Sequence, residues 1–270
     1  MTFASRLRSV LTESGRLCVG IDPHAALLRE WGLPESADGV REFGLRTVDA
    51  VVGRAGIVKP QVAFFERYGS AGYAALETVI AAARSAGLFV IADAKRGDIG
   101  STIDAYAAAW LTPGSPLEAD ALTAVAYQGL GSLSGALALA ETHGKGVIVV
   151  TATSNPESVA TQTAVRTDGR SVAGALVDDV RALPGTAGLV IGATVELGDY
   201  GLSPASFGDV PILAPGFGAQ GAHLGDLGRV FGPAADQVAV HMSRELLGAG
   251  PDGIADAVSR VQDELQGLRS

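Results

Sequence analysis

Short apolar runs recur along the chain, each followed by a longer stretch of mixed polarity. The runs are 17–21, 56–58, 88–92, 121–125, 147–150, 189–191, 211–214 and 237–240. Their hydrophobicity is continuous rather than alternating, as in strands covered on both faces of a parallel sheet. The stretches between them, including 38–52, 71–86, 131–142 and 171–183, are amphipathic or Ala-rich and predict helices. Eight strand–helix units predict an α/β fold, a (β/α)8 TIM barrel. No Ser/Pro-rich linker divides the chain, so residues 1–270 are expected to form one domain. A doubly wound open sheet is the alternative arrangement of the same units.

A barrel places its chemistry at the C-terminal ends of its strands. Asp22 follows the first run and Lys59 the second. Asp93 and Lys95 follow the third, and Thr151, Ser154 and Asn155 the fifth. Gly216, Gly218 and Gln220 follow the seventh, and Ser243 and Arg244 the eighth. Polar residues therefore gather at one predicted end.

The densest cluster is 93–102, Asp-Ala-Lys-Arg-Gly-Asp-Ile-Gly-Ser-Thr. Asp93 and Lys95 are two apart, so in a strand they face the same side. Neighbouring strands bring Lys59 close, and Lys59, Asp93, Lys95 and Asp98 then alternate in sign. Each charge favours the ionised form of the next. A lysine so placed can protonate a carbanion. Spacing alone leaves a rim ion-pair network equally open. The Gly-rich loop 214–220, with Ser243 and Arg244 beyond the last strand, offers a phosphate cradle or an ordinary turn. Asp22 suits a sugar hydroxyl or a turn before Pro23.

Composition narrows the field. Hydrophobic residues make up 47% and charged ones 18%, which fits a globular chain. The net charge of −9 argues against nucleic acid and acidic membrane surfaces as partners. No apolar run approaches the ~20 residues of a membrane helix. The N-terminus lacks a secretory h-region, so a cytoplasmic protein is expected. The one cysteine, Cys18, lies in an apolar run and is expected to be a buried, inert thiol. His24, His143, His223 and His241 lack metal-ligand spacing, and His241 is expected to be a satisfied core residue. No P-loop, no strand-linked Gly-x-Gly-x-x-Gly fingerprint and no Gly-x-Ser-x-Gly elbow is expected.

Taken together, several motifs resemble orotidine 5′-phosphate decarboxylases. They are Asp-x-Lys-x-x-Asp-Ile-x-x-Thr at 93–102, Val-Gly-Ile-Asp-Pro at 19–23, Val-Lys-Pro at 58–60, Ala-Pro-Gly at 214–216 and Ser-Arg at 243–244. Lys59-Pro60-Gln61 and Thr153-Ser154-Asn155-Pro156 are similar to the longer bacterial branch. The segment His241-Met242-Ser243-Arg244 lacks the asparagine and glycine often seen there but keeps the arginine.

The resemblance implies conversion of orotidine 5′-monophosphate to UMP and CO2 without metal or organic cofactor, by a homodimer with shared sites. It implies that Lys95 protonates C6 and that Asp93 lies against the substrate carboxylate. Asp98, Ile99 and Thr102 would serve the partner's site. Lys59 and Asp22 would hold the ribose, and Ser154, with Asn155 beside it, the pyrimidine edge. Gln220, Ser243, Arg244 and backbone around Gly216 and Gly218 would hold the phosphate. Two alternatives share the scaffold. One is an Mg-dependent sugar-phosphate decarboxylase or hexulose-phosphate synthase. The other is a non-catalytic nucleotide-binding barrel.

Overall fold

Eight parallel strands close on themselves in chain order. They are β1 (Leu17–Ile21), β2 (Ile57–Pro60), β3 (Phe89–Arg96), β4 (Ala121–Ala124), β5 (Gly146–Ala152), β6 (Ala187–Ile191), β7 (Ile212–Pro215) and β8 (Val238–Met242). The computed structural model describes residues 1–183 and 185–268. Pairing of Leu17 with Val240 and Cys18 with His241 joins β1 to β8. That closure rules out the open doubly wound sheet.

The helices are α1 (Phe3–Glu13), α2 (Ala25–Glu30), α3 (Ala37–Val51), α4 (Val62–Glu66), α5 (Gly69–Ser85), α6 (Gly100–Leu111) and α7 (Ser134–Thr142). They continue with α8 (Pro156–Gln162), α9 (Val172–Arg181), α10 (Leu227–Phe231), α11 (Arg244–Leu247) and α12 (Gly250–Gly267). The crossover from β6 to β7 departs from the expected strand–helix repeat. It uses two 3-10 turns, Leu197–Tyr200 and Pro204–Phe207. Gly192, Gly198, Gly201, Pro204 and Gly208 interrupt that segment too often for an α-helix to persist.

Strand parity divides the core in two. Leu17, Val19, Ile21, Val58, Val90 and Ala92 face outward and join the helices in one apolar layer. Cys18, Ile57, Phe89, Ile91, Ala121, Ile148, Val190, Leu213 and Ala239 fill the barrel. Helix α1 closes the N-terminal end. Its Phe3, Leu7 and Leu11 recur at i, i+4, i+8 on one face and join that inner cluster. Thr2 caps this helix by accepting from the Ser5 N–H at 3.3 Å. Burying each such side chain contributes about 1.5–3 kcal/mol.

The inner residues are apolar low in the barrel and polar at its mouth. Strands β2 and β3 run past their apolar stretches, because backbone pairing continues after the apolar side chains end. Lys59, Asp93 and Lys95 therefore lie within strands rather than after them. Among the described residues, no helix is long and apolar enough to cross a membrane.

Candidate active site

Every second residue carries one inward line upward. Cys18, Gly20 and Asp22 form one such line; Ile57, Lys59 and Gln61 form the next. Ile91, Asp93 and Lys95, then Ala121 and Thr123, then Ala239, His241 and Ser243, follow the same parity. The cavity at the mouth is lined by Asp22, Lys59, Asp93, Lys95, Thr123 and His241 on one side. Val150, Val190, Leu213 and Pro215 form an apolar wall.

Asp93 is the hub. Its Oδ2 accepts from Lys59 Nζ at 2.6 Å, and its Oδ1 accepts from Lys95 Nζ at 2.6 Å. Thr123 Oγ1 donates to the same Oδ1 at 2.9 Å. Lys59 also donates to Gln61 Oε1 at 3.2 Å. Lys59 and Asp93 are buried, while the Lys95 side chain remains 49% exposed and free to meet a ligand.

Burial opposes both charges, yet pairing wins. Burial works against the Lys59 ammonium, but Asp93 and Asp22 outweigh it and its pKa lies above the ordinary lysine value. Burial likewise opposes the Asp93 carboxylate, but Lys59 and Lys95 hold its pKa well below the usual range. Beneath them, burial pushes the Cys18 thiol up to about 12, so it is the inert group its sequence context suggested.

A second cleft adjoins the first. Asp22, His24, Gly216, Gln220, Ser243 and Arg244 line it, with Glu245 at its edge. The loop after β7 holds its shape by bonds from the N–H groups of 218, 221 and 222 to carbonyls of the same loop. Contrary to expectation, Gly216, Gly218 and Gly221 have Gly-x-Gly-x-x-Gly spacing directly after β7, all with positive φ. Gly218 does not line the cleft. A Cβ there would sit 2.0 Å from a Glu245 carboxylate oxygen.

His241 departs from expectation. It lies in β8 and lines both clefts, and its buried Nε2 has no hydrogen-bond partner. Asp22 Oδ1 and Ser243 Oγ are also buried and unpartnered at this junction. A Cβ on Gly20 would lie 2.8 Å from His241 Nε2, so glycine makes room for the ring. Burial first, then Lys59, lowers the His241 pKa from 6.5 to about 3. The unfolded chain therefore binds a proton that the folded chain refuses between about pH 6.5 and pH 3. Stability is expected to fall as pH drops through that window. A His241→Gln variant should show a shallower acid decline in Tm, measured from pH 7 to pH 4. An identical decline in both proteins would refute the assignment.

Other sequence-predicted residues separate. Asp98 stays outside the array within one chain, and its Oδ1 accepts the Ile99 N–H at 2.8 Å. Ile99 and Thr102 are exposed at the start of α6. Ser154 and Asn155 are exposed and do not line the cavity, whereas Thr153 does. The Thr151 hydroxyl is buried and donates to Val149 O at 2.9 Å. A register shift between Val150 and Ala152 breaks strict alternation, which explains the offset. Sequence reading missed Thr123 and the cavity role of Gln61. Inward parity was the signal that could have found them.

Two larger clefts lie at the opposite end, around α1. One holds Arg8, Arg181 and Asp209, the other Arg6, Arg84 and Asp120. Neither lies at the strand ends where barrels carry chemistry. Among the described residues, no three His, Cys, Asp or Glu side chains gather as a metal site.

Interleaved charges at the C-terminal mouth of a closed barrel define the class, a (β/α)8-barrel enzyme. Comparison with known proteins sharpens that class. A profile of the orotidine 5′-phosphate decarboxylase / HUMPS family matches residues 15–257, and the chain belongs to that family. It is 50% identical over 257 residues to an orotidine 5′-phosphate decarboxylase of Streptomyces coelicolor, covering 93% of this chain and 91% of that one. It is 48% identical over 260 residues to the Salinispora tropica protein of the same name, covering 94% and 92%. A Streptomyces avermitilis crystal structure superposes with a TM-score of 0.93 at 45% identity, covering 99% of this chain and 95% of that one.

Proposed function

We propose that the chain decarboxylates orotidine 5′-monophosphate to UMP and CO2, as a cytoplasmic homodimer using Lys95 as proton donor. The observation that carries the reading is the Lys59–Asp93–Lys95 array at the barrel mouth, with its 2.6 Å contacts on both carboxylate oxygens. Relatives at 48% and 50% identity bear the same activity as their name.

The chemistry follows from charge placement. Breaking the C6–carboxylate bond leaves an electron pair on C6 that the ring stabilises poorly. The Lys95 ammonium, held against Asp93, stabilises that developing charge in place of solvent. It then transfers a proton to C6, giving UMP, and the neutral amine regains a proton from water. Asp93 beside the substrate carboxylate disfavours that charge before the bond breaks. The apolar wall of Val150, Val190 and Leu213 suits neutral CO2 better than a carboxylate.

Lys59 and Asp22 are assigned to the ribose, with Thr153 in place of Ser154 or Asn155 nearest the base. Arg244, Ser243 and Gln220 are assigned to the phosphate in the adjacent cleft. Binding there, remote from C6, can be used to lower the barrier at C6. An Arg244→Ala variant should raise KM and lower kcat/KM by about 10- to 100-fold, the loss of one charged hydrogen-bonding group. Steady-state kinetics showing unchanged constants would remove Arg244 from the site.

The dimer reading rests on the outer face of α6 and the neighbouring loop. Ile99, next to Asp98 in the chain, is 60% exposed, Tyr106 on α6 38% and Tyr127 after β4 82%. Large apolar side chains left exposed suit burial against a second copy, which would receive Asp98, Ile99 and Thr102. Formation of equimolar UMP and CO2 from orotidine 5′-monophosphate tests the activity, and absence of product would overturn it.

A further inference from the structure

Between Ala92 and Arg96, β3 falls out of step with β4. Ala92 pairs with Leu122 and Arg96 with Ala124, so four steps on β3 oppose two on β4. The residue opposite the bulge is Thr123, which is buried. Within the bulge sits Lys95 at φ +46°, the one non-glycine residue with positive φ among those described. Such a conformation costs on the order of 1–3 kcal/mol and persists only where its surroundings enforce it.

The Thr123 hydroxyl supplies that enforcement. Its Oγ1 accepts the Lys95 N–H at 3.0 Å and donates to Asp93 Oδ1 at 2.9 Å. The direction of each bond is fixed, because an amide N–H only donates and a carboxylate only accepts. One hydroxyl thus occupies the Lys95 amide, which the bulge leaves without a ladder partner. It also anchors the oxygen that accepts the Lys95 ammonium at 2.6 Å. Backbone and side chain of Lys95 are tied to the same group.

We propose that Thr123 is the positioning residue that holds the Lys95 ammonium in register with the reacting carbon. This rests on Lys95 being the proton donor. Thr123 touches Lys95 and Asp93, and acts through them rather than on the substrate. The bulge sets the Lys95 backbone at positive φ, and the hydroxyl ties that backbone to the carboxylate its ammonium meets.

The test compares Thr123→Val, which keeps the shape and removes the hydroxyl, with Thr123→Ser, which keeps the hydroxyl. Thr123→Val is expected to lower kcat by about 10- to 100-fold, the consequence of an unpaired amide in the bulge and a loosened carboxylate. KM and UMP affinity should stay within about threefold. Thr123→Ser should recover kcat to within about threefold of wild type, showing dependence on the hydroxyl rather than volume. If Thr123→Val does not fold, Thr123→Ala is read by the same criteria. Wild-type kcat in the hydroxyl-free variant would overturn the proposal, as would equal losses in the valine and serine variants. Lys95→Ala run in parallel separates the two ideas. Its inactivity beside an active Thr123→Val rejects the positioning role alone, whereas full activity in Lys95→Ala rejects the proton-donor assignment beneath it.

Discussion

Lys95→Ala is expected to abolish turnover of orotidine 5′-monophosphate, by about 10⁴-fold or more, while the folded protein still binds UMP. Positioned proton transfer contributes about 10²–10⁴-fold, and loss of a preorganised charge adds further orders of magnitude. Substrate binding should survive because the anion cleft around Arg244 lies apart from Lys95. The buried Lys59–Asp93 pair also remains, so Asp93 is not left as an isolated charge. Calorimetric titration with UMP alongside single-turnover kinetics checks both halves. Turnover near the wild-type rate would remove Lys95 from the chemistry.

The second large effect concerns Asp98. Within one chain it bonds to its own neighbour's N–H and stays outside the charge array. If it completes the site of a second copy, Asp98→Ala and Lys95→Ala should each be nearly inactive alone and partly active when mixed. A mixed dimer has one site carrying both lesions and one carrying neither. Random exchange makes half the dimers mixed, so about a quarter of all sites should regain activity. Subunit exchange is verified with two differently tagged proteins. No recovery after verified exchange would place Asp98 outside the shared site.

How much of this was legible in the sequence depended on charge and on strand regularity. Continuous apolar runs gave the strands, since each is covered on both faces. Lys59, Asp93 and Lys95 stood out because charges are rare beside a core. Thr123 and Gln61 carry no charge and sit within or beside strands, so they resembled ordinary core and rim residues. His241 was assigned to the core for the same reason, yet its Nε2 is unpartnered at the junction of two clefts. The resemblance implies Ser154 and Asn155 at the base edge, whereas Thr153 lines the cavity, because the register shift in β5 cannot be read from composition. The bulge that holds the Lys95 backbone at positive φ is invisible for the same reason. It arises from pairing between β3 and β4, not from local preference, since positive φ is unfavourable for lysine. The β6–β7 crossover shows the reverse case, in which Gly and Pro spacing was on view but the strand–helix rhythm was extended through it.

In the proposed reaction, lysines and carboxylates of this chain carry out the decarboxylation without a metal ion. The most direct measurement is the rate of orotidine 5′-monophosphate loss, followed by absorbance, on purified protein exhaustively treated with EDTA and on an untreated portion. Equal rates, with UMP and CO2 as products in both, are the result this account predicts. No turnover in either portion, or activity lost to EDTA and restored by Mg2+, would contradict it.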